Sequence, residues 1–305
     1  MKKLLLCLLC VWTVSLQAQN HPRDGHYSFG LRITGRGKPM IMIPGQKGSA
    51  DTYNDVVDHY KAHYKCYVIT LAGFAGQPAS GELDHPLQKQ RDDIIQFIID
   101  QHFHQPILVG FSFGGALALW IASTRPDLIG KLIELDGTPF DTAIDYPNVN
   151  MDSVKQAAVK LHAKILSHND LYWKHVDSVR HTAAYRKQGF EYLKILATDS
   201  LRINQILDWD DASDYKAADL MGVDMDALDM RDSVKKINCP ILVLGCWRGW
   251  DVVKTKEEAG KRYRAEYAPA KNVTVAFSAN GKHFLMYEDF DWMIAQMDAF
   301  LAKNR

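Results

Sequence analysis

Residues 108–116 read LVGFSFGGA. Ser112 stands between Gly110 and Gly114, directly after an apolar run and directly before a run of small and apolar residues. A serine hydroxyl is a weak nucleophile unless a base removes its proton, so this corner has chemical meaning only if a base can reach it. The Gly-x-Ser-x-Gly pattern alone recurs by chance in roughly one chain in ten of this length. Its position between a strand and a helix gives it weight. A tight strand-to-helix turn needs the glycines because side chains there would clash, and it lifts the hydroxyl to a helix N-terminus, where backbone N–H groups and the helix dipole favour negative charge.

The expected order after such a serine is an acid and then a histidine. His283, in SANGKHFLMYED, follows the last apolar strand run and precedes the last helical pattern, so a loop at that strand end would bring it to the serine. Two acids compete for the third role. Asp251, in LGCWRGWDVV, lies in the loop after PILVLG, the first choice by position; Asp136 closes LIELD one strand earlier and would also reach the imidazole. Oxyanion stabilisation needs two N–H donors aimed where charge develops. The N–H of Phe113, next after the serine, is one; the N–H of Gln46, in the loop after PMIMIPG, is the other.

These residues need a scaffold that places strand ends side by side. Apolar runs without alternation (PMIMIPG, CYVITLAG, PILVGF, KLIELD, PILVLG, NVTVAFSA) predict strands buried on both faces, hence a mostly parallel sheet flanked by helices in an α/β fold. HYSFGLRITGRGK reads as an opening hairpin. Helices are expected over 51–63, 85–103, 112–124, 254–265 and 289–302. Between Pro147 and Pro240 there is no proline, and apolar residues recur at helical spacing (Val154, Ala158, Leu161, Ile165). The stretch 137–238 therefore reads as a helical cap inserted between core segments 19–136 and 239–305. Ligands in such sheets bind outside the carboxyl ends of the strands, which an insertion leaving one strand end must cover.

Taken together, the chain resembles a capped serine hydrolase of the α/β-hydrolase fold over nearly all of its length after residue 18. The motifs carrying the resemblance are GFSFGG, IPGQKGSADTYND, ITLAGFAGQP, CPILVLG and GKHFLMYEDFDWMIAQMDAFL, in the family's order. It implies Ser112 as nucleophile, His283 as base, Asp251 as acid, and the Gln46 and Phe113 N–H groups as oxyanion hole. It also implies a cofactor-free reaction on a small-molecule ester. Two departures stand out: Pro44-Gly45 replaces the frequent His-Gly before the oxyanion residue, and Asp251 lies a few residues later after its strand than is common. The latter keeps Asp136 as the alternative acid.

Other features narrow the function. Charge is balanced, with 36 basic and 36 acidic residues, so there is no basic stripe for nucleic acid. MKKLLLCLLCVWTVSLQAQN has the layout of a secretory signal over 1–18, which predicts a secreted or periplasmic protein with no stable membrane span after cleavage. Loss of Lys2 and Lys3 would leave 34 basic against 36 acidic residues. Cys239 and Cys246 flank an extended run of about 20 Å, too far for a disulfide, and no Cys/His spacing suits zinc, His102–His104 included, so no metal is expected. The cap aromatics Tyr172, Trp173, Tyr185, Phe190, Tyr192 and Trp209 would line an apolar pocket or form the cap's own core. The acidic segment DWDDASDYKAADLMGVDMDALD supports a second reading, an aminopeptidase of the proline-iminopeptidase type whose cap carboxylate binds a free amine; a solvated acidic face is the plain alternative. A non-catalytic binding protein on the same scaffold is the third reading, and the intact serine, acid and histidine set disfavours it.

Overall fold

The computed structural model describes residues 27–140, 142, 146, 148–248 and 253–303. The expected signal segment 1–18 and Asp251 lie outside the described residues. Seven strands form one sheet: β1 (Gly30–Gly35), β2 (Lys38–Ile43), β3 (Tyr64–Thr70), β4 (Ile107–Phe111), β5 (Lys131–Leu135), β6 (Ile241–Gly245) and β7 (Val273–Phe277). The spatial order is β1-β3-β2-β4-β5-β6-β7. All pairs are parallel except β1 with β3. The opening hairpin is thus corrected: β1 is followed directly by β2 but pairs with β3, with Gly30 opposite Thr70 and Gly35 opposite Lys65. Gly37, at a φ of 108°, turns the chain there, and a Cβ on it would meet the His63 carbonyl at 2.2 Å.

Helices α1 (Asn54–Tyr60), α2 (Pro86–Asp100) and α3 (Phe113–Thr124) belong to the first half of the core. Among the described residues the cap then contributes α4 (Met151–Ser167), α5 (Asp170–Arg180), α6 (Ala183–Leu196), α7 (Ser200–Asp211) and α8 (Tyr215–Asp226). The core then closes with α9 (Lys256–Glu266), the short α10 (Leu285–Glu288) and α11 (Phe290–Ala302). Successive residues of β2 serve opposite faces, as the two-residue period of a strand requires. Ile41 and Ile43 belong to the buried layer that also holds residues of α2, α3 and α9, while Met40 and Met42 belong to the layer that holds residues of α1 and α11. Each fully buried aliphatic side chain of this kind contributes roughly 1.5–3 kcal/mol. Two such layers suffice to hold the few backbone positions that the site strains.

The cap is polar-capped helix by helix. Asn150, Asn169, Thr182, Asp199 and Asp214 each accept a backbone N–H with their side chains at the starts of α4 to α8. Its inner end is fastened to the core. At the corner between α7 and α8, the Ala75 N–H donates to Ser213 Oγ (2.9 Å), the Gly76 N–H to the Ala212 carbonyl (3.0 Å), and the Asp214 N–H to the Gly73 carbonyl (2.7 Å).

Candidate active site

Ser112 occupies the turn from β4 into α3 with φ 51° and ψ −119°, a left-handed conformation that costs a non-glycine residue roughly 1–2 kcal/mol. Neighbouring backbone holds it there. The Ser112 N–H donates to the Leu135 carbonyl (2.9 Å), and the Ser112 carbonyl accepts from the Gly115 and Ala116 N–H groups. The flanking glycines are sterically required. A Cβ on Gly110 would stand 2.4 Å from the Gly114 carbonyl oxygen, and a Cβ on Gly114 would stand 2.3 Å from the Ile43 and Pro44 carbonyl oxygens. The small residues read from the sequence thus let α3 press against both its own strand and the loop after β2.

Three side chains converge at the strand ends. Ser112 Oγ lies 3.0 Å from His283 Nε2, and His283 Nδ1 lies 2.6 Å from Asp136 Oδ2. His283 arrives on the loop after β7, as expected from the sequence, and its ring is wedged against Phe111 and Phe284 with centroids 4.9 and 5.4 Å away. The carboxylate facing it belongs to Asp136, the alternative acid, at the end of β5. Asp251, the first choice, lies outside the described residues. The placement of Asp136 has a local cause. Asp136 takes φ 50°, and its N–H donates to the Leu244 carbonyl at 2.7 Å, which turns the side chain out of β5 and under the imidazole.

The Asp136 carboxylate is fully buried and receives four donors. Oδ1 accepts from the Cys246 N–H (2.9 Å) and the Tyr263 hydroxyl (2.7 Å); Oδ2 accepts from His283 Nδ1 and, at 3.1 Å, from the Cys246 thiol. With Nδ1 donating, Nε2 of a neutral imidazole is the acceptor for the serine proton. Cys246 and Tyr263 carry no motif and escaped the sequence reading. The only available signal was their position, one residue after β6 and on the helix that follows it.

The loop expected to carry an oxyanion donor lies beside the serine. A Cβ on Gly45 would stand 3.5 Å from Ser112 Cβ. The turn at 45–48 is closed by the Gly48 N–H on the Gly45 carbonyl (3.0 Å), so it leaves the Gln46 N–H outside its own hydrogen bond. Phe113 is the first residue of α3, where an N–H has no partner within the helix.

Above the three side chains opens a cavity of about 660 Å³. The cap stretch supplies Phe140, Tyr185, Tyr192, Ile206, Leu207 and Trp209, and the core supplies Phe113 and Phe284. Three of the six expected cap aromatics therefore line the cavity. Trp173 packs with Ile165, Leu220 and Val223 instead, Phe190 joins the core layer of α1 and α11, and Tyr172 stacks on His168 at 3.6 Å. Among the described residues, five of the eight carboxylates of the acidic segment are ion-paired, and two, Asp210 and Asp226, border the cavity. Asp210 pairs with Lys47, Asp208 and Asp211 with Arg186, Asp224 with His162, and Asp229 with Arg231. Cys66, Cys239 and Cys246 are buried, and no disulfide joins them. Burial pushes the Cys66 and Cys239 thiols up to about 11 and about 12. Beneath the serine, Glu134 is completely buried on β5, its Oε2 2.4 Å from where a Gly115 Cβ would be, and burial holds its pKa well above the ordinary carboxylate range.

Among curated proteins, the chain is 24% identical over 118 residues to the pimeloyl-[acyl-carrier protein] methyl ester esterase of Aeromonas hydrophila, covering 39% of this chain and 45% of that protein. It is 28% identical over 123 residues to the (E)-2-((N-methylformamido)methylene)succinate hydrolase of Acinetobacter baylyi, covering 40% and 44%. The chain thus spans less than half the length of these relatives. Solved structures share the fold far more completely. The enol-lactonase of Burkholderia xenovorans LB400 superposes with a TM-score of 0.64 over 90% of this chain and 96% of its own, at 14% identity. A hydrolase from Oleispira antarctica does so with 0.68 over 90% and 94%, at 13% identity. The family model described as the alpha/beta hydrolase family matches residues 40–296, and with that span covering the sheet from β2 onward, the cap and the serine turn, the chain belongs to the alpha/beta hydrolase family.

Proposed function

We propose that this protein is a serine hydrolase that cleaves a small carboxylic ester through Ser112, His283 and Asp136. The observation that carries the reading is the unbroken relay from Ser112 Oγ to His283 Nε2 (3.0 Å) and from His283 Nδ1 to Asp136 Oδ2 (2.6 Å). Ser112 Oγ attacks the ester carbonyl carbon while His283 Nε2 takes its proton. The oxygen that gains charge is held by the Gln46 and Phe113 N–H groups. Asp136 keeps Nδ1 as donor and stabilises the imidazolium, which then gives its proton to the leaving alcohol. Water, deprotonated by the same imidazole, releases the acid from the acyl-enzyme.

The aromatic and aliphatic walls of the cavity support an apolar acyl or alcohol group. The aminopeptidase alternative needs a cap carboxylate at the cavity; Asp210 there already holds Lys47, whereas Asp226 also borders the cavity, so turnover of aminoacyl-nitroanilides is what separates the two readings. Export to the periplasm or beyond is part of the proposal and rests on the signal-like sequence of residues 1–18.

The test is covalent labelling with a serine-directed fluorophosphonate, run beside turnover of p-nitrophenyl esters and aminoacyl-nitroanilides. The wild type is expected to label and to hydrolyse short esters, and Ser112→Ala to do neither while keeping its thermal midpoint. Labelling that persists in Ser112→Ala, or turnover confined to amides with a free amine, would sink the reading.

A further inference from the structure

The residue after the oxyanion donor is out of place by its type. Lys47 sits third in the 45–48 turn with φ 55°, in the left-handed region that such a turn reserves for glycine or asparagine. Glycines stand nearby at 45 and 48, yet the strained position carries a long cationic side chain. A strained residue persists only where its surroundings over-determine it. Here the side chain supplies the reason. Lys47 Nζ lies 2.9 Å from Asp210 Oδ1 at the end of cap helix α7 and 3.7 Å from the centre of the Tyr215 ring in α8.

That anchorage is itself fixed. The Tyr215 hydroxyl donates to Asp210 Oδ2 and lies 3.3 Å from the Tyr185 hydroxyl. The buried Arg180 places its guanidinium 3.6 Å from the centre of the Tyr215 ring and donates to the Ser213 carbonyl at 2.8 Å. Asp210 and Tyr215 flank the α7–α8 corner, which three hydrogen bonds tie to the core loop at 73–76. Gln46 leans on the same cap, since a Cβ on Gly222 of α8 would stand 2.9 Å from Gln46 Nε2. The oxyanion loop is therefore gripped by the cap at two successive residues.

We propose that Lys47 and Asp210 are positioning residues through which the cap sets the oxyanion loop, so that the cap corner takes part in stabilising the transition state and does not merely shape the pocket. This rests on the serine hydrolase reading above. A pair of opposite charges with about a fifth of each side chain exposed borders the cavity but is neutral overall, so it favours neither an anionic nor a cationic substrate end. Its mechanical consequence is direct, because a shift of about 1 Å in a loop that carries a transition-state donor is enough to cost rate.

Lys47→Gly separates the possibilities, because glycine relieves the backbone strain while removing the anchor. If Lys47 only closes a turn, this variant keeps its kcat and melts at or above the wild-type temperature. Under the proposal the thermal midpoint is held or raised while kcat for a short p-nitrophenyl ester falls at least about tenfold, short of the 10²–10³ expected for losing a whole donor. KM stays within about threefold, and affinity for an alkyl boronic acid, which forms the tetrahedral oxyanion mimic on serine, falls in step with kcat. Asp210→Asn is expected to behave alike, and the double variant to be no worse than Lys47→Gly alone. A kcat for Lys47→Gly within twofold of wild type, additive losses in the double variant, or a change confined to KM would overturn the proposal. Labelling of Ser112 by fluorophosphonate in the wild type and both variants keeps this outcome distinct from a failure of the hydrolase reading itself.

Discussion

Replacing Asp136 by asparagine tests the relay at its most constrained point. The carboxylate faces the Cys246 N–H and the Tyr263 hydroxyl with Oδ1, and His283 Nδ1 and the Cys246 thiol with Oδ2. Asparagine keeps the shape but offers one acceptor oxygen and one NH2 group. The Cys246 N–H belongs to the backbone and cannot turn away. Setting the NH2 against it would strand a buried donor at a cost of about 1–3 kcal/mol. The amide oxygen therefore stays on that side, and the NH2 points at His283 Nδ1. The imidazole answers by moving its proton to Nε2, where it faces Ser112 Oγ as a donor and no longer as a base. In serine proteases the same tautomer error lowers turnover about 10⁴-fold, or roughly 5.5 kcal/mol. A loss of at least about a thousandfold in kcat for p-nitrophenyl acetate is expected for Asp136→Asn. Its thermal midpoint, read by circular dichroism, should move only a few degrees, since volume and most hydrogen bonds survive. Asp251→Asn, measured in parallel, should stay within a few-fold of wild type. More than a tenth of wild-type kcat in a folded Asp136→Asn protein, or a folded but inactive Asp251→Asn protein, would refute the reasoning.

Glu134→Gln should stabilise the protein in a pH-dependent way. Burial raises the folded-state pKa of Glu134, so its carboxyl stays protonated in the fold while the unfolded chain ionises above about 4.3. Wild-type stability is then full below that pH and falls as pH rises toward the folded-state pKa, by up to about 1.4 kcal/mol per pH unit, a loss that glutamine does not share. Urea unfolding at pH 4.5 and 7.5 should show the advantage of the variant growing with pH; an equal offset at both would contradict it. Trp209→Ala, at the cavity wall, should change the ranking of ester chain lengths while turnover of the acetate stays within about threefold. Trp173→Ala, packed on Ile165 and Leu220 away from the cavity, should leave that ranking intact and lower stability by roughly 2–4 kcal/mol. The opposite pattern in a chain-length series would reverse these two assignments.

The sheet was legible along the chain because strands buried on both faces read as continuous apolar runs, and the serine turn because its glycines leave no room for other residues. His283 followed from its place after the last such run. These signals are local, carried by a few neighbouring residues. The opening hairpin misread the edge of the sheet, since adjacency in sequence suggests pairing while β1 takes β3 as its partner across 30 residues or more. The acid could not be chosen locally either. Asp136 and Asp251 both follow strands, and position along the chain ranks them without saying which carboxylate meets the imidazole. The backbone turn at Asp136, with the Cys246 N–H and the Tyr263 hydroxyl converging from other elements, aims its side chain at His283. The cap's acidic segment is a similar case. By composition it looks like a solvated face or an amine site, yet its partners Lys47, His162, Arg186 and Arg231 reach most of its carboxylates only once the helices pack. Hydrogen bonds and ion pairs act over about 3 Å in space and carry no signature in sequence spacing, so partners from distant segments become visible only when the fold brings them together.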